Sequence, residues 1–358
     1  MECKYKLAWI PWTDSIINDS IFIGDENDYH VKIARACRNM GIEIHTIDMY
    51  EDLNDVDVFL FSVFSYKYLL LLEEKGLLAK TIYFSGEPPV VEPLNSSKGY
   101  KILKKYFANI MTWDKNLVDN IRIFHRNIPY SFVRKYGEPI YPQKLLVNMS
   151  GNKHSRHPLE LYSTREEIVT WFEMNHPDQI ELYGPGWSLE RHPSWKGCVE
   201  NKFDVYHNFK FALALENTYG VSGYLSEKLP DCLCAGIVPI YQGPINVDEF
   251  VPSTCYIDYS KFNSPQQLYD FLVDMSLSEY RNYIDEIDKF LKDEKSELFS
   301  HEYLAKCILQ VIENGYKGKI EFTFYRRIWL RMRMVLQMMY KFMVNTKYRL
   351  IKEVIRRE

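Results

Sequence analysis

One segment, residues 206–244, places a cation and a carboxylate together at the expected start of a helix. Its run Tyr224–Lys228 follows a glycine-containing loop and opens a helix that we predict over Tyr224–Cys234. The free backbone N–H groups of such a start, together with Lys228, suit an anion such as a diphosphate. Glu227 adds a carboxylate beside this cation. A capping carboxylate next to a solvated lysine is the alternative interpretation.

A second segment, Tyr83–Pro89, carries a carboxylate just beyond a predicted strand. Glu87 lies there on a loop that Gly86, Pro88 and Pro89 make stiff, and partial burial would raise its pKa. Such a carboxylate can accept a proton from a hydroxyl group during bond formation. Glu92, which also precedes a proline, is the second candidate, and capping of a turn is the alternative role for both.

Three other patterns of chemistry-bearing residues have simpler structural explanations. The pattern Asp55-Val56-Asp57 could bind a metal ion, but it precedes an apolar run and suits a turn that enters a strand. His154 and His157 lack further ligands nearby, and Cys232-x-Cys234 lies in an apolar helix without a second cysteine pair. We therefore expect no metal site and no bound cofactor.

Strands and helices alternate in two series, which predicts parallel sheets covered by helices. The predicted strands are Tyr5–Trp9, Ile42–Ile47, Val56–Val63, Thr81–Phe84 and Asn109–Thr112, then Leu145–Met149, Gln179–Tyr183, Phe209–Leu215 and Ile237–Tyr241. The predicted helices are His30–Met40, Tyr66–Glu74 and one near Lys115–Ile123, then Arg165–Phe172, Tyr224–Cys234, Pro265–Met275, Ser278–Leu291 and Glu302–Glu313. Two such domains would face each other across a cleft, where ligands bind at the carboxyl ends of the strands.

Length and charge divide the chain further. Its 358 residues, 46% apolar, suffice for two α/β domains, which we place at residues 1–138 and 139–315, with a proline-containing linker over Asn127–Lys144. The net charge of −4 is unevenly distributed: the tail, residues 316–358, has a net charge of +9, and the rest of the chain has a net charge of −13. An acidic body argues against a general nucleic-acid-binding protein.

Cysteines and hydropathy bear on the cellular compartment. The seven cysteines are odd in number and scattered, as is usual in a reducing compartment. The sequence shows no apolar run long enough to span a membrane and no signal peptide. We expect a cytoplasmic protein.

The segment 206–244 resembles the signature of the α-1,3-fucosyltransferase family, glycosyltransferase family 10, in its bacterial form. Leu215, Thr218 and Ser226 stand where the family has Phe, Ser and Thr. The matching elements, in order, are Phe209-Lys210-Phe211, Leu215–Thr218, Tyr224–Lys228, Ala235–Pro239 and Gly243-Pro244.

This resemblance implies a GT-B-like fold and a metal-independent, inverting transfer of fucose from GDP-fucose to a glycan hydroxyl, with GDP-fucose bound by the second domain. By match, Lys228 would bind the diphosphate and Glu227 would hold fucose hydroxyls or steady positive charge on the ring. Glu216, Asn217 and Tyr224 would belong to the donor site. A second phosphate-binding cation is assigned to Arg165, with Arg156 as its rival, and Glu87 matches the family's glutamate at the acceptor side.

The tail, Phe322–Glu358, combines arginines with apolar residues spaced three or four apart, among them Trp329, Met332 and Leu336. A basic helix with an apolar side suits an anionic membrane surface, and bacterial family members resemble this. We therefore expect a peripheral protein on the inner face of the cytoplasmic membrane. Packing of the helix on the protein body is the alternative.

Two functions of different classes follow from these observations. The first is transfer of fucose to a glycan, with a GlcNAc-containing surface glycan as the expected acceptor. The second is a catalytically silent sugar-nucleotide-binding or scaffold protein at the membrane. A transferase that uses another GDP-sugar is a variant of the first.

Overall fold

The computed structural model describes residues 3–135 and 144–355, except for the side chains of Lys341 and of residues 344–355. Its N-terminal part contains a six-stranded parallel sheet in the order β2-β1-β3-β4-β5-β6. The strands are β1 Tyr5–Ile10, β2 Ile42–Thr46, β3 Val58–Phe61, β4 Thr81–Phe84, β5 Asn109–Thr112 and β6 Ile123–His125. The helices that connect them are α1 Tyr29–Asn39, α2 Tyr66–Glu74 and α3 Ser97–Leu103.

A second parallel sheet follows, with five strands in the order β11-β10-β9-β7-β8. Its strands are β7 Lys144–Met149, β8 Ile180–Tyr183, β9 Phe209–Leu213, β10 Val238–Tyr241 and β11 Ile257–Asp258. The remaining helices are α4 Tyr162–Asn175, α5 Lys202–Tyr206, α6 Lys228–Ala235, α7 Pro265–Asp274, α8 Leu277–Phe290, α9 Glu294–Glu297, α10 His301–Asn314 and α11 Phe324–Ile355.

The central strands are continuous apolar runs because both of their faces are covered. Every residue of β3, β4 and β10 is buried, as expected for parallel strands between two helical layers. These strands were predictable from their composition. The GT-B-like α/β architecture predicted from the sequence is therefore present.

Both sheets reverse their strand order at one point, which decides where a ligand can bind. In the first sheet β1 pairs with both β2 and β3, and in the second β7 pairs with both β8 and β9. A crevice opens beyond the carboxyl ends of the strands at each such switch point. The loops after β1, β3, β7 and β9 are therefore the natural walls of a binding site.

Two predicted helices differ from the structure. Residues 115–123 form a short turn at Lys115–Leu117 and then enter strand β6, because the Asp119 carboxylate accepts N–H groups of Ile121, Arg122 and Ile123 and closes a tight loop. The helix predicted from Tyr224 begins only at Lys228, because Glu216 holds Ser226 in the preceding loop.

The last helix of the range assigned to the second domain packs with the first. Helix α10 places Leu304, Ile308 and Val311 in the core beside α1 and the N-terminal sheet. The N-terminal core thus includes a segment from within the range predicted as the C-terminal domain, residues 139–315. The predicted boundary between residues 138 and 139 lies outside the described residues.

Helix α11 begins on the surface of the N-terminal domain. Leu330 is fully buried, and Arg327 forms an ion pair 2.5 Å from the carboxylate of Glu73 on α2. The Trp329 ring lies 5.8 Å from that of Tyr66. Farther along, apolar side chains from Met332 to Met343 are largely exposed. Among the described residues, no helix combines the length and the apolar character that a membrane crossing requires.

Candidate active site

A cavity of about 440 Å³, here the interdomain cavity, lies where the carboxyl ends of the two sheets face each other. The loops after β7 and β9 form one side, and the loop after β4 contributes Glu87 from the other domain. Its lining residues are Glu87, Met149, Ser150, Gly151, Lys153, Tyr162, Arg165, Gly184, Pro185, Cys198, Val199, Glu200, Lys202, Asn217, Tyr224, Glu227 and Lys228.

Arg165 is a buried cation in the cavity wall. It lies in the first turn of α4 and is only 2% exposed. Its guanidinium donates to the main-chain oxygens of Leu215, at 2.6 Å, and Glu216, at 3.2 Å, while its Nε has no hydrogen-bond partner among the described residues. Burial lowers its pKa. Because no carboxylate of the described residues forms an ion pair with it, this charge is available to an anion in the cavity.

Lys228 begins helix α6 and lies among oxygens. Its Nζ lies 3.1 Å from Ser226 Oγ, 3.5 Å from Glu216 Oε2 and 3.7 Å from Glu227 Oε1. Glu216 is fully buried behind the cavity, and its carboxylate also accepts hydrogen bonds from Ser226 and from the Tyr241 hydroxyl. Glu216 therefore positions the loop and Lys228, and it does not line the cavity.

Glu227 stands at the entrance to α6 with its carboxylate facing the cavity. The surrounding protein opposes its charge, but attraction to Lys228 and hydrogen bonds outweigh that effect, so its pKa lies below the usual value. Asn217 and Tyr224 complete this wall. Tyr224 is buried, and its ring lies 5.4 Å from that of Trp113, which belongs to the N-terminal domain.

Glu87 is the carboxylate that the N-terminal domain contributes to the interdomain cavity. Its side chain is open to the cavity, yet partial desolvation raises its pKa above 4.5. Lys153 and Lys228 oppose this rise, whereas Glu227 and Glu216 add to it. The Asn95 side chain donates a 2.6 Å hydrogen bond to the main-chain oxygen of Glu87 and so holds the loop.

Glu87 also lines a second hollow of about 340 Å³, here the N-terminal cavity, at the switch point of the first sheet. Its walls are aromatic, with Trp9, Trp12, Tyr29 and Phe84 among them. Glu92 lines this hollow as well, but its carboxylate caps a turn by accepting the Leu94 N–H at 3.0 Å. Of these two carboxylates, Glu87 alone borders both hollows.

The other candidates from the sequence lie elsewhere. Arg156 is exposed and does not line the cavity. Asp57 accepts the Lys6 N–H at the opposite end of β3, and His157 accepts the Leu159 N–H within its loop. Cys232 and Cys234 are buried in α6. The described residues contain no group of three or more His, Cys, Asp or Glu side chains arranged for a metal ion.

Sequence reasoning missed two cations and one loop of the cavity. Lys153 follows β7, so the rule that ligands bind at strand ends could have indicated it. Lys202 forms an ion pair with the buried Asp231, and Cys198–Glu200 approach from a long irregular loop. No local motif marks these residues, because only the folded chain brings them to the cavity.

Residues 147–310 match the family model "Glycosyltransferase family 10 (fucosyltransferase) C-term". This part of the chain belongs to glycosyltransferase family 10. The family 10 region contains nearly all of the cavity wall, including Arg165, Asn217, Tyr224, Glu227 and Lys228, whereas Glu87 lies outside it.

Fucosyltransferases are among the curated proteins that are similar to the chain. It is 36% identical over 202 residues to alpha-(1,3)-fucosyltransferase 7 of Rattus norvegicus, which is 55% of this chain and 50% of the relative. It is 28% identical over 209 residues to 3-galactosyl-N-acetylglucosaminide 4-alpha-L-fucosyltransferase FUT3 of Bos taurus, which is 56% of this chain and 51% of the relative. The chain thus spans about half the length of these relatives.

A crystal structure of an alpha1,3-fucosyltransferase with GDP-fucose superposes with a TM-score of 0.55 at 14% identity, over 90% of this chain and 94% of that one. At this identity the likeness concerns the fold. Because it extends over both domains, it includes the N-terminal domain, which the family model does not cover.

Proposed function

We propose that this protein is an inverting glycosyltransferase that moves fucose from GDP-fucose to a hydroxyl group of a glycan. One observation carries the proposal. A family 10 domain directs a lysine and a buried guanidinium, which forms no ion pair within the described part of the chain, into the same cavity that receives Glu87 from the opposite domain.

In the proposed donor complex the diphosphate lies between Arg165 and Lys228. Both cations border the cavity, and Arg165 offers an Nε with no partner among the described residues. Fixed cations stabilise the negative charge that develops on the leaving phosphate, and they do so more strongly in a site shielded from water. Glu227, whose lowered pKa keeps it ionised, faces the sugar and stabilises positive charge at its ring.

The proposed reaction is a single displacement at the anomeric carbon of fucose. Glu87 accepts the proton of the acceptor hydroxyl as that oxygen forms a bond to the anomeric carbon. The bond from this carbon to the phosphate oxygen breaks, and its electron pair leaves with GDP. The raised pKa of Glu87, caused by desolvation, strengthens it as a base.

The acceptor would enter through the N-terminal cavity. Its aromatic walls suit the apolar faces of sugar rings, and Glu87 stands at its junction with the interdomain cavity. The name of the Bos taurus relative suggests an acceptor to test, the galactosyl-N-acetylglucosamine disaccharide with a 1,3 linkage, and we add its 1,4-linked isomer.

The decisive experiment measures GDP release from GDP-fucose with these disaccharides. General-base catalysis contributes about 10²–10⁴-fold, so we expect Glu87→Gln to lose at least a hundredfold in kcat while it still binds GDP. Glu92→Gln is the matched control, because Glu92 lines only the N-terminal cavity and caps a turn. Equal turnover of Glu87→Gln and wild type would rule out Glu87 as the base.

Donor and metal requirements are tested in the same assay. GDP-mannose and UDP-sugars should not replace GDP-fucose, and preference for another GDP-sugar would transfer the proposal to that donor. Chelation with EDTA should leave activity intact, because the cations of the cavity supply the charge that a metal ion would otherwise provide. Binding of GDP-fucose without transfer would favour the non-catalytic alternative.

We propose in addition that the exposed part of α11 binds an anionic membrane surface. Its first turns pack on α2, whereas Met332, Leu336 and Met339 are more than half exposed. Each nearby cation contributes about 1 kcal/mol to such binding. A truncation after Gly315 would remove the tail but also Phe322 and Leu330 from the core, so the sharper variant is Met332→Glu/Leu336→Glu/Met339→Glu. Unchanged binding of this variant to phosphatidylserine vesicles would refute the membrane role.

A further inference from the structure

Trp12 and Val63 of the N-terminal cavity also line a third hollow, which we call the tail groove. Its volume is about 440 Å³, and it lies between the loops after β1 and β3 and one side of helix α11. Its lining residues are Pro11, Trp12, Thr13, Asp14, Val63, Phe64, Ser65, Lys67, Tyr68, Met334, Gln337 and Met338.

The three hollows share walls and form a series. Glu87 borders both the interdomain cavity and the N-terminal cavity. Trp12 and Val63 border both the N-terminal cavity and the tail groove. The tail groove is therefore adjacent to the cavity that Glu87 borders, on the side of Trp12 and α11.

The tail groove lies at the switch point of the first sheet, where the strand-end loops of β1 and β3 diverge. Its lining combines aromatic side chains, Trp12, Phe64 and Tyr68, with the hydroxyl-bearing residues Thr13 and Ser65. Sugar rings combine an apolar face with hydroxyl groups, and this mixture satisfies both. An alkyl chain would cover the charged side chains of Asp14 and Lys67, which also line the groove, and would offer them no hydrogen bond, which is unfavourable.

Helix α11 is a fixed wall of this groove. Leu330 is fully buried one turn before Met334, and the Arg331 guanidinium lies 3.5 Å from the carboxylate of Glu74. The Trp329 ring contacts those of Tyr66 and Tyr106. The tail is therefore held against the acceptor side of the molecule over its first turns.

We infer that the tail groove is a distal acceptor subsite, which binds the saccharide units beyond the disaccharide that receives fucose. This inference rests on the proposed function and adds to it a preference for longer oligosaccharides. It assigns to helix α11 a part in substrate selection, separate from any contact with a membrane.

The test compares N-acetyllactosamine with a hexasaccharide of three N-acetyllactosamine repeats, and with a dodecyl glycoside of the disaccharide. We expect the wild-type protein to use the hexasaccharide with a kcat/KM about tenfold above that of the disaccharide, equivalent to ~1.4 kcal/mol. Met338→Trp, which narrows the groove, should abolish this preference and leave the disaccharide unaffected. Met339→Trp is the matched control, because Met339 is the exposed neighbour that does not line the groove. Tyr68→Ala, which removes an aromatic face, should act like Met338→Trp.

The outcomes separate this inference from the function on which it rests. Transfer to the disaccharide without any gain for the hexasaccharide overturns the subsite and leaves the proposed function standing. A gain for the dodecyl glycoside alone, lost in Met338→Trp, shows instead a groove for an alkyl chain. Equal effects of Met338→Trp and Met339→Trp also overturn it. Absence of transfer to every probe refutes the proposed acceptor class and the subsite together.

Discussion

Replacing Arg165 with methionine should weaken GDP binding strongly while changing the stability of the ligand-free protein very little. This combination follows from the environment of the guanidinium. Its charge is buried without an ion-pair partner among the described residues, and it donates only to two main-chain oxygens. Methionine has a similar length but neither charge nor donors.

Two opposing effects set the stability of the ligand-free variant. Leaving the oxygens of Leu215 and Glu216 without this donor costs about 1–3 kcal/mol each. Removing a buried charge that has no ion-pair partner among the described residues returns several kcal/mol of desolvation free energy. We therefore expect the free energy of unfolding to change by about 1 kcal/mol or less, since these two contributions are of similar size.

The effect of Arg165→Met on GDP affinity is larger, and every contribution to it weakens binding. Charge-assisted hydrogen bonds contribute about 1.5–3 kcal/mol each, so the lost contacts should weaken binding about a hundredfold. At a GDP concentration of 1,000 times the wild-type Kd, the ligand stabilises the wild type by about 4.1 kcal/mol. The variant is then at only about ten times its own Kd, which corresponds to roughly 1.4 kcal/mol.

Thermal unfolding with and without GDP, together with calorimetric titration, measures both quantities. Arg156→Met serves as the control, because it removes an exposed arginine that does not line the cavity. A variant that binds GDP as tightly as the wild type would refute the phosphate role. A loss of several kcal/mol in the ligand-free protein with unchanged GDP affinity would show that Arg165 serves only to hold the strand end.

Three further outcomes follow from the site. Because desolvation raises the pKa of Glu87, kcat/KM should fall as the pH drops through a value above 4.5. The acidic fall of kcat should lie at a still higher pH, since bound diphosphate neutralises Lys153 and Lys228, which otherwise lower this pKa. A fall of kcat/KM at or below pH 4.5 would contradict this prediction. Cys198 is exposed in the cavity wall, so its alkylation should slow about tenfold at a GDP concentration of ten times Kd. The exposed Cys3 lies outside the cavity and should react at an unchanged rate. Mass spectrometry of the two peptides measures both rates, and a Cys198 that GDP does not protect would mean that GDP binds elsewhere. Arg126 donates to the main-chain oxygen of Ser85 and lies 4.0 Å over the Phe84 ring, so Arg126→Lys should displace the loop that carries Glu87. We expect kcat to fall about tenfold with an unchanged KM for GDP-fucose, because small displacements of catalytic groups slow the reaction strongly. An unchanged kcat would refute this positioning role.

The strand framework could be predicted because burial on both faces leaves a continuous apolar signal. The same reasoning failed where a single side chain redirects the backbone. Asp119 turns residues 119–123 into a tight loop before β6, although the sequence there has helical spacing. Glu216 retains Ser226 in the loop, so α6 begins at Lys228 instead of Tyr224. Both carboxylates act on main-chain groups, which periodicity does not register.

The site residues were predictable to the extent that they lie at strand ends or within the family motif. Glu87 follows the end of a strand and Lys228 lies within the family motif, and both residues line the cavity. Glu216 satisfies both and yet lies behind the wall, because its carboxylate is needed to hold Ser226 and Tyr241. Lys202 satisfies neither, since only the tertiary fold brings α5 to the cavity.

Catalysis in such a site depends on alignment of the two domains, because the proposed base and the phosphate cations come from different sheets. The buried Asp231 connects this alignment to the cavity. Its carboxylate accepts a hydrogen bond from the hydroxyl of Tyr130, which follows the N-terminal sheet, and it pairs with Lys202 in the cavity wall. On the opposite side, Gly223 has a φ of 79°, and a Cβ there would lie 2.2 Å from the main-chain oxygen of Trp113. The loop that leads to Tyr224 can therefore approach the N-terminal domain only because this residue is glycine. The contacts of Asp231 and Gly223 between the two domains therefore also position Lys202 and Tyr224, which border the proposed donor site.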